Sequence, residues 1–175
     1  MITNDYLRML SRYNRWQNAE LFGAAAKLTY ADRRKDRGAF WQSIHGTFSH
    51  IYWGDRIWFS RFNVCEAPSV PQKHSASYVD DWSELTSMRF ALDDVIVEWC
   101  DAYETGPISG QLKWFSGTIG REVEFPLAGV LPHIFNHQTH HRGQAHAMIT
   151  AAGGVTSDTD MFIMPREHWP ADIFS

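Results

Sequence analysis

Residues 131–148 read LPHIFNHQTHHRGQAHAM and hold five of the chain's nine histidines. No other stretch limits the fold so much, because its spacing is helical while its chemistry is not that of an ordinary core. Val130, Ile134, Ala145, Met148 and Ala152 follow the three-and-four spacing of a helix face turned inward, with gaps left in the pattern. His137 and His141 fill those gaps, so the full stripe is 130, 134, 137, 141, 145, 148 and 152. His133 and His140 flank the stripe, and His146 lies on the opposite side. Two imidazoles one helical turn apart therefore point at an apolar interior, where their nitrogens need partners. A backbone carbonyl or a carboxylate could serve each one separately. A single metal ion could serve both, since histidines at i and i+4 on a helix suit one cation.

A third ligand then has to come from elsewhere. Residues 40–62 read FWQSIHGTFSHIYWGDRIWFSRF, with Trp41, Ile44, Phe48, Ile51, Trp58 and Phe62 on one helical stripe and no proline. Trp53, Ile57 and Phe59 lie off that stripe, so the spacing predicts a central helix buried on more than one side. It carries His45 and His50. His50 sits roughly 125° from the stripe's centre, at about 100° per residue. It shares a side with Thr47 and Gly54, small residues that let another helix or an ion approach. Spacing alone does not choose between His45 and His50.

The segments SIHGTFSHIYWGDRIWFSRF and HIFNHQTHHRGQAHAMIT, with YNRWQNAELF at 13–22, resemble the DinB family of the DinB/YfiT-like metalloenzymes. The resemblance runs from residue 1 to about 165. It implies an all-α four-helix bundle holding one divalent metal ion through three histidines. Carried onto matching positions, the implied metal ligands are His50, His137 and His141. Ser49 stands where the family pattern often has Asn, beside a ligand position. The resemblance also implies a homodimer, and it permits an activity in which a small thiol is the co-substrate. An all-histidine ligand set suits Zn, Ni, Cu or Fe without choosing among them, and Zn or Ni is the expected ion.

The rest of the chain fits that architecture. Thr3 or Asn4 can cap a first helix reaching about residue 28, with Leu7, Leu10, Tyr13, Gln17, Leu21 and Ala24 inward. TYADRRKDRG follows as a loop, and the second helix spans about 39–62. Residues 63–78, with Pro68 and Pro71, read as a long crossover loop. A third helix spans about 81–103, with Leu85, Met88, Leu92, Val95, Ile96 and Trp99 as its stripe. QLKWFSGTIGREVEFP breaks the helical period and predicts a short β-hairpin insertion before the last helix. That helix begins between 127 and 132, since Pro132 is tolerated in a first turn, and ends at Gly153-Gly154. The tail, 155–175, carries Met161, Phe162, Ile163, Met164, Trp169, Ile173 and Phe174 and is expected to pack on the bundle or on a partner subunit.

At 175 residues the chain is read as one domain, 1–175. A net charge of −4 without a block of like charge argues against a nucleic-acid or membrane-surface partner. No apolar run is long enough for a signal peptide or a transmembrane span, and the expected location is the cytoplasm. Cys65 and Cys100 form no CxxC pair, and reduced thiols are the expectation. Asp55, five residues after His50, is a candidate acid behind a metal ligand or else a helix-pairing carboxylate. Gln144 could position a ligand, and Arg142 is expected to pair with an acid between helices or subunits. Two functional readings follow. One is a metal-dependent enzyme, a transferase or hydrolase acting on a small molecule. The other is a non-catalytic, stress-responsive metal-binding bundle.

Overall fold

The computed structural model describes residues 2–104 and 106–173. It is mostly helical, with one two-stranded hairpin: α1 (Asn4–Ala26), α2 (Tyr30–Arg34), α3 (Ile44–Ser60), α4 (Trp82–Ala102), β1 (Gln111–Ser116), β2 (Arg121–Pro126) and α5 (Leu127–Ala151). Helix α1 packs on α4 and α5, and α3 packs on α5 and α4. Their inward faces merge into one core that includes Leu7, Phe22, Phe48, Leu85, Ile96 and Ile134.

Helix α3 is the centre of the molecule, as its all-round apolarity predicts. Every residue from Ile44 to Tyr52 is buried. It starts later than expected, at Ile44 instead of 39, because Ser43 stops it: the Ser43 hydroxyl accepts from the Gly46 N–H at 3.0 Å. Gly46 cannot be larger there, since a Cβ would come within 2.5 Å of the Trp41 carbonyl. Trp41 therefore lies ahead of the helix and not on its stripe.

Other boundaries differ for similarly local reasons. Thr3 precedes α1 but makes no side-chain cap; Asn4 instead donates to the carbonyls of Cys100 and Tyr103, tying α1 to the end of α4. The segment expected as a loop holds α2, capped by Thr29, whose hydroxyl accepts from the Asp32 N–H. On α4, Val95 turns outward, while Arg89, Asp93, Val97 and Cys100 are buried. The hairpin pairs Trp114 with Val123 and Leu112 with Phe125, in antiparallel register. Helix α5 begins at Leu127, with Pro132 inside it.

Residues 63–79 run back along α3, from Glu66 beside Arg56 to Val79 beside His45, and contain a 3-10 turn, Gln72–Ser77, packed on it. Part of the tail folds back. Met164 is buried beside Met9 and Trp16, with Trp169 packed on them, and Arg8 grips Asp172 in a paired ion contact at 2.6 and 2.9 Å. Phe162 and Val155 in that tail point outward, 79% and 81% exposed. Phe174 lies outside the described residues. Among the described residues no helix is long and apolar enough to cross a membrane.

Candidate metal centre

Helices α3 and α5 bring His50, His137 and His141 together. One ring nitrogen from each falls within 4.8 Å of the other two. The His50 and His137 Nε2 atoms are 3.2 Å apart. Two nitrogens bound to one tetrahedral ion at about 2.0–2.1 Å would stand about 3.3 Å apart, so the spacing fits shared coordination.

Close approach of the helices depends on Gly54. A Cβ at that position would meet His137 Cε1 at 2.9 Å, so any other side chain would push the ring away. The small side of α3 read from the sequence is thus filled by a histidine of α5.

Two of the three outer nitrogens are held in place. His50 Nδ1 lies 2.8 Å from Ser75 Oγ, and His141 Nδ1 lies 2.9 Å from Gln144 Oε1. Since the amide oxygen only accepts, His141 Nδ1 carries the proton and Nε2 keeps its lone pair. An Nδ1–H donated to Ser75 gives His50 the same tautomer. Partners of this kind orient metal-ligating histidines. Trp41 adds a flat wall, its ring stacked on His50 with centroids 3.9 Å apart.

The outer nitrogen of His137 has no such partner: its Nδ1 is buried without a hydrogen bond. Burial, and then the neighbouring imidazoles His141 and His137, lowers the His50 pKa to about 2. Burial, followed by His141, lowers His137 to about 3, and burial lowers His141 as well. Three neutral imidazoles with lone pairs converging on one point form a donor set that suits a borderline cation such as Zn²⁺ or Ni²⁺.

His45 does not join them. Its Nε2 is 2.8 Å from the Val79 carbonyl, so it is a core histidine bonded to the backbone. Asp55 is the helix-pairing carboxylate: it takes Arg89 at 2.5 Å, and no histidine contacts it. Arg142 meets no acid directly and instead donates to Gln138 Oε1 at 2.9 Å. Ser75 and Trp41 were not legible as site residues. Ser75 sits in a long loop with no periodic signal, and Trp41 read as part of a helix that begins after it.

The model of the DinB family matches residues 1–170. The chain belongs to the DinB family. It is similar to Protein DinB of Bacillus subtilis (strain 168), 24% identical over 164 residues that cover 90% of this chain and 92% of that one. No solved structure matches the chain.

In this DinB-family chain the histidines open on one side to a cavity of about 460 Å³. His50 and His137 form part of its wall, and Trp53, Trp58, Trp114 and Phe115 form much of the rest. The hairpin thus closes one side of the chamber, with Trp58 and Trp114 edge-to-face at 5.4 Å.

Proposed function

We propose that this DinB-family protein is a metal-dependent enzyme in which His50, His137 and His141 bind one divalent ion, zinc or nickel. The observation that carries the reading is the convergence of three imidazoles, two buried and His137 half-buried, on one point that opens into a cavity. A metal held only to tie α3 to α5 would have no use for a chamber of substrate size, so the cavity favours catalysis over a purely structural metal. A bound ion would supply Lewis acidity, lowering the pKa of a water or small thiol at its open position. The chain's residues do the rest. Ser75 and Gln144 fix the imidazole tautomers, Gly54 admits His137, and the tryptophan walls exclude water from the reacting side. A thiol-dependent transfer to a small molecule is the activity that best suits such a site.

In the same reading the four long helices form one four-helix bundle in a single domain, and the exposed Phe162 and Val155 support pairing with a second copy. Light scattering at micromolar concentration should give the mass of a dimer; a monomer mass would remove that part.

The metal assignment is tested by metal content after purification without a His-tag or nickel column. Wild-type protein, His45→Ala and His146→Ala should retain about one ion per chain, and His141→Ala should lose it. Equal content in His141→Ala and His146→Ala would refute the assignment. A screen of small electrophiles with and without thiols then tests the activity.

A further inference from the structure

The cavity beside the histidines contains one permanently charged side chain, and no protein group neutralises it. Arg61 caps the end of α3 and lies over the rings of Trp58 and Trp114, at 4.1 and 5.0 Å from their centroids. Its Nη1 is buried and has no hydrogen-bond partner. Burial pulls its pKa down to about 10, with no carboxylate pulling the other way. Among the described residues that line the cavity there is no Asp, Glu or Lys.

The other interior arginines make the contrast. Arg89 is paired with two carboxylates, and Arg142 with an amide oxygen. Stacking on two indoles orients the Arg61 guanidinium but leaves its donors free. A partly desolvated cation whose donors have no acceptor is costly unless a ligand completes it.

We propose that the cavity binds a small organic carboxylate, its acid group on Arg61 and its apolar body against Trp53, Trp58 and Trp114. A single guanidinium matches a single negative charge, and its planar fork matches a carboxylate in two parallel hydrogen bonds. A phosphate would bring nearly two charges to one cation. His133, also on the wall, has its pKa lowered by burial and then by Arg61, which disfavours a second charge there. The inference deepens the metal-site reading and rests on it for one point: His50 and His137 line the same chamber, so a ligand anchored at Arg61 presents its remainder to the metal.

Isothermal titration of zinc-treated protein with benzoate and with its neutral isostere benzamide tests this. Wild-type protein should bind benzoate about tenfold or more tightly than benzamide, the size expected of one charged hydrogen-bonded pair. Arg61→Met should bring the ratio near one while keeping benzamide binding, and Arg61→Lys should keep part of the preference. Equal affinity for the two ligands in wild-type protein would overturn the proposal. So would a preference that survives in Arg61→Met, which would place the carboxylate on the metal alone. Loss of both ligands in Arg61→Met and Arg61→Gln alike would mean that Arg61 only holds the wall, and would also overturn it. Zinc content of the same samples separates the two readings: discrimination that tracks Arg61 without zinc uptake upholds the carboxylate site and refutes the metal centre, and zinc uptake without discrimination does the reverse.

Discussion

Two groups of polar side chains share the interior of this protein, and they meet burial in opposite ways. The first joins all four long helices. Arg89 of α4 bridges Asp55 of α3 and Asp93 of α4, Asn18 of α1 donates to Asp93, and Arg142 of α5 donates to Gln138. Burial pulls the Arg89 pKa down, but the facing Asp93 and Asp55 outweigh it and hold the guanidinium above its ordinary value. The second group is His50, His137 and His141, on the same α3 and α5, with His137 and His141 next in sequence to Gln138 and Arg142. Donors meet acceptors in the first group, so its charges are answered from within, although Asn18 Oδ1, Asp55 Oδ1, Arg89 Nε and Gln138 Nε2 have no partner. The second brings together three groups of one kind, whose inner nitrogens face each other. The first group is fully buried and the second is nearly so, with His137 half-buried; complementarity is the larger difference. A buried polar cluster points to a ligand when its members are alike, and to architecture when they answer one another.

The strongest way to break that contrast is to open the closed network. Arg89→Met leaves Asp55 and Asp93 buried with their shared cation gone, and should cost about 3–5 kcal/mol in urea unfolding. A loss below about 1 kcal/mol would show that the network is not self-sufficient in the way described. The histidine cluster should behave in the opposite sense. His141→Leu should leave metal-free stability nearly unchanged, while zinc at a hundredfold excess over its Kd should stabilise wild-type protein by about 2.7 kcal/mol and the variant not at all. Equal stabilisation of both by zinc would place the ion elsewhere.

A smaller effect sharpens the role of the outer partners. Ser75→Ala should weaken zinc about 10–100-fold in chelator competition without removing it. An unchanged affinity would mean that Trp41 and packing alone orient His50. A fourth effect is in acid, on metal-free protein. The folded-state pKa values of His50 and His137 are depressed, to about 2 and about 3, so both stay neutral after the unfolded chain begins to protonate near 6.5. Stability should therefore fall as pH drops from about 6.5 toward 3, by up to about 1.4 kcal/mol per pH unit for each proton. His137→Gln should flatten that slope by about one proton; an unaltered slope would mean that His137 is not buried neutral.

Much of this could be read from the residues. The period of 130–152 placed His137 and His141 near the interior, the all-round apolarity of 40–62 made α3 central, and the alternation about Gly117 and Gly120 announced the hairpin. What escaped was most of the contacts made by polar residues on buried faces, Asp55 apart. Arg89 and Asp93 share the face of Leu85, Leu92 and Ile96, but a charged side chain at such a position gives no sign of its partner until the neighbouring helices are in place. The burial of α5 is also wider than its stripe: Leu131, Phe135, Gln138 and Arg142 are buried too, which puts the histidines toward the edge of the buried face and not at its middle. The third histidine shows the limit most clearly. Spacing left His45 and His50 equal, and only the Val79 carbonyl and Ser75 hydroxyl, delivered by a loop more than twenty residues away, separate them.

That loop and the last helix also set an order of assembly. Ser75 follows His50 by 25 residues, whereas His137 follows it by 87. A chain made from its N-terminus can dock the loop and orient His50 while α5 has yet to be synthesised. Until then the cluster is a single imidazole facing an unfilled groove, with no second nitrogen to chelate alongside it. Under the metal proposal, an ion would meet all three nitrogens only in the finished chain.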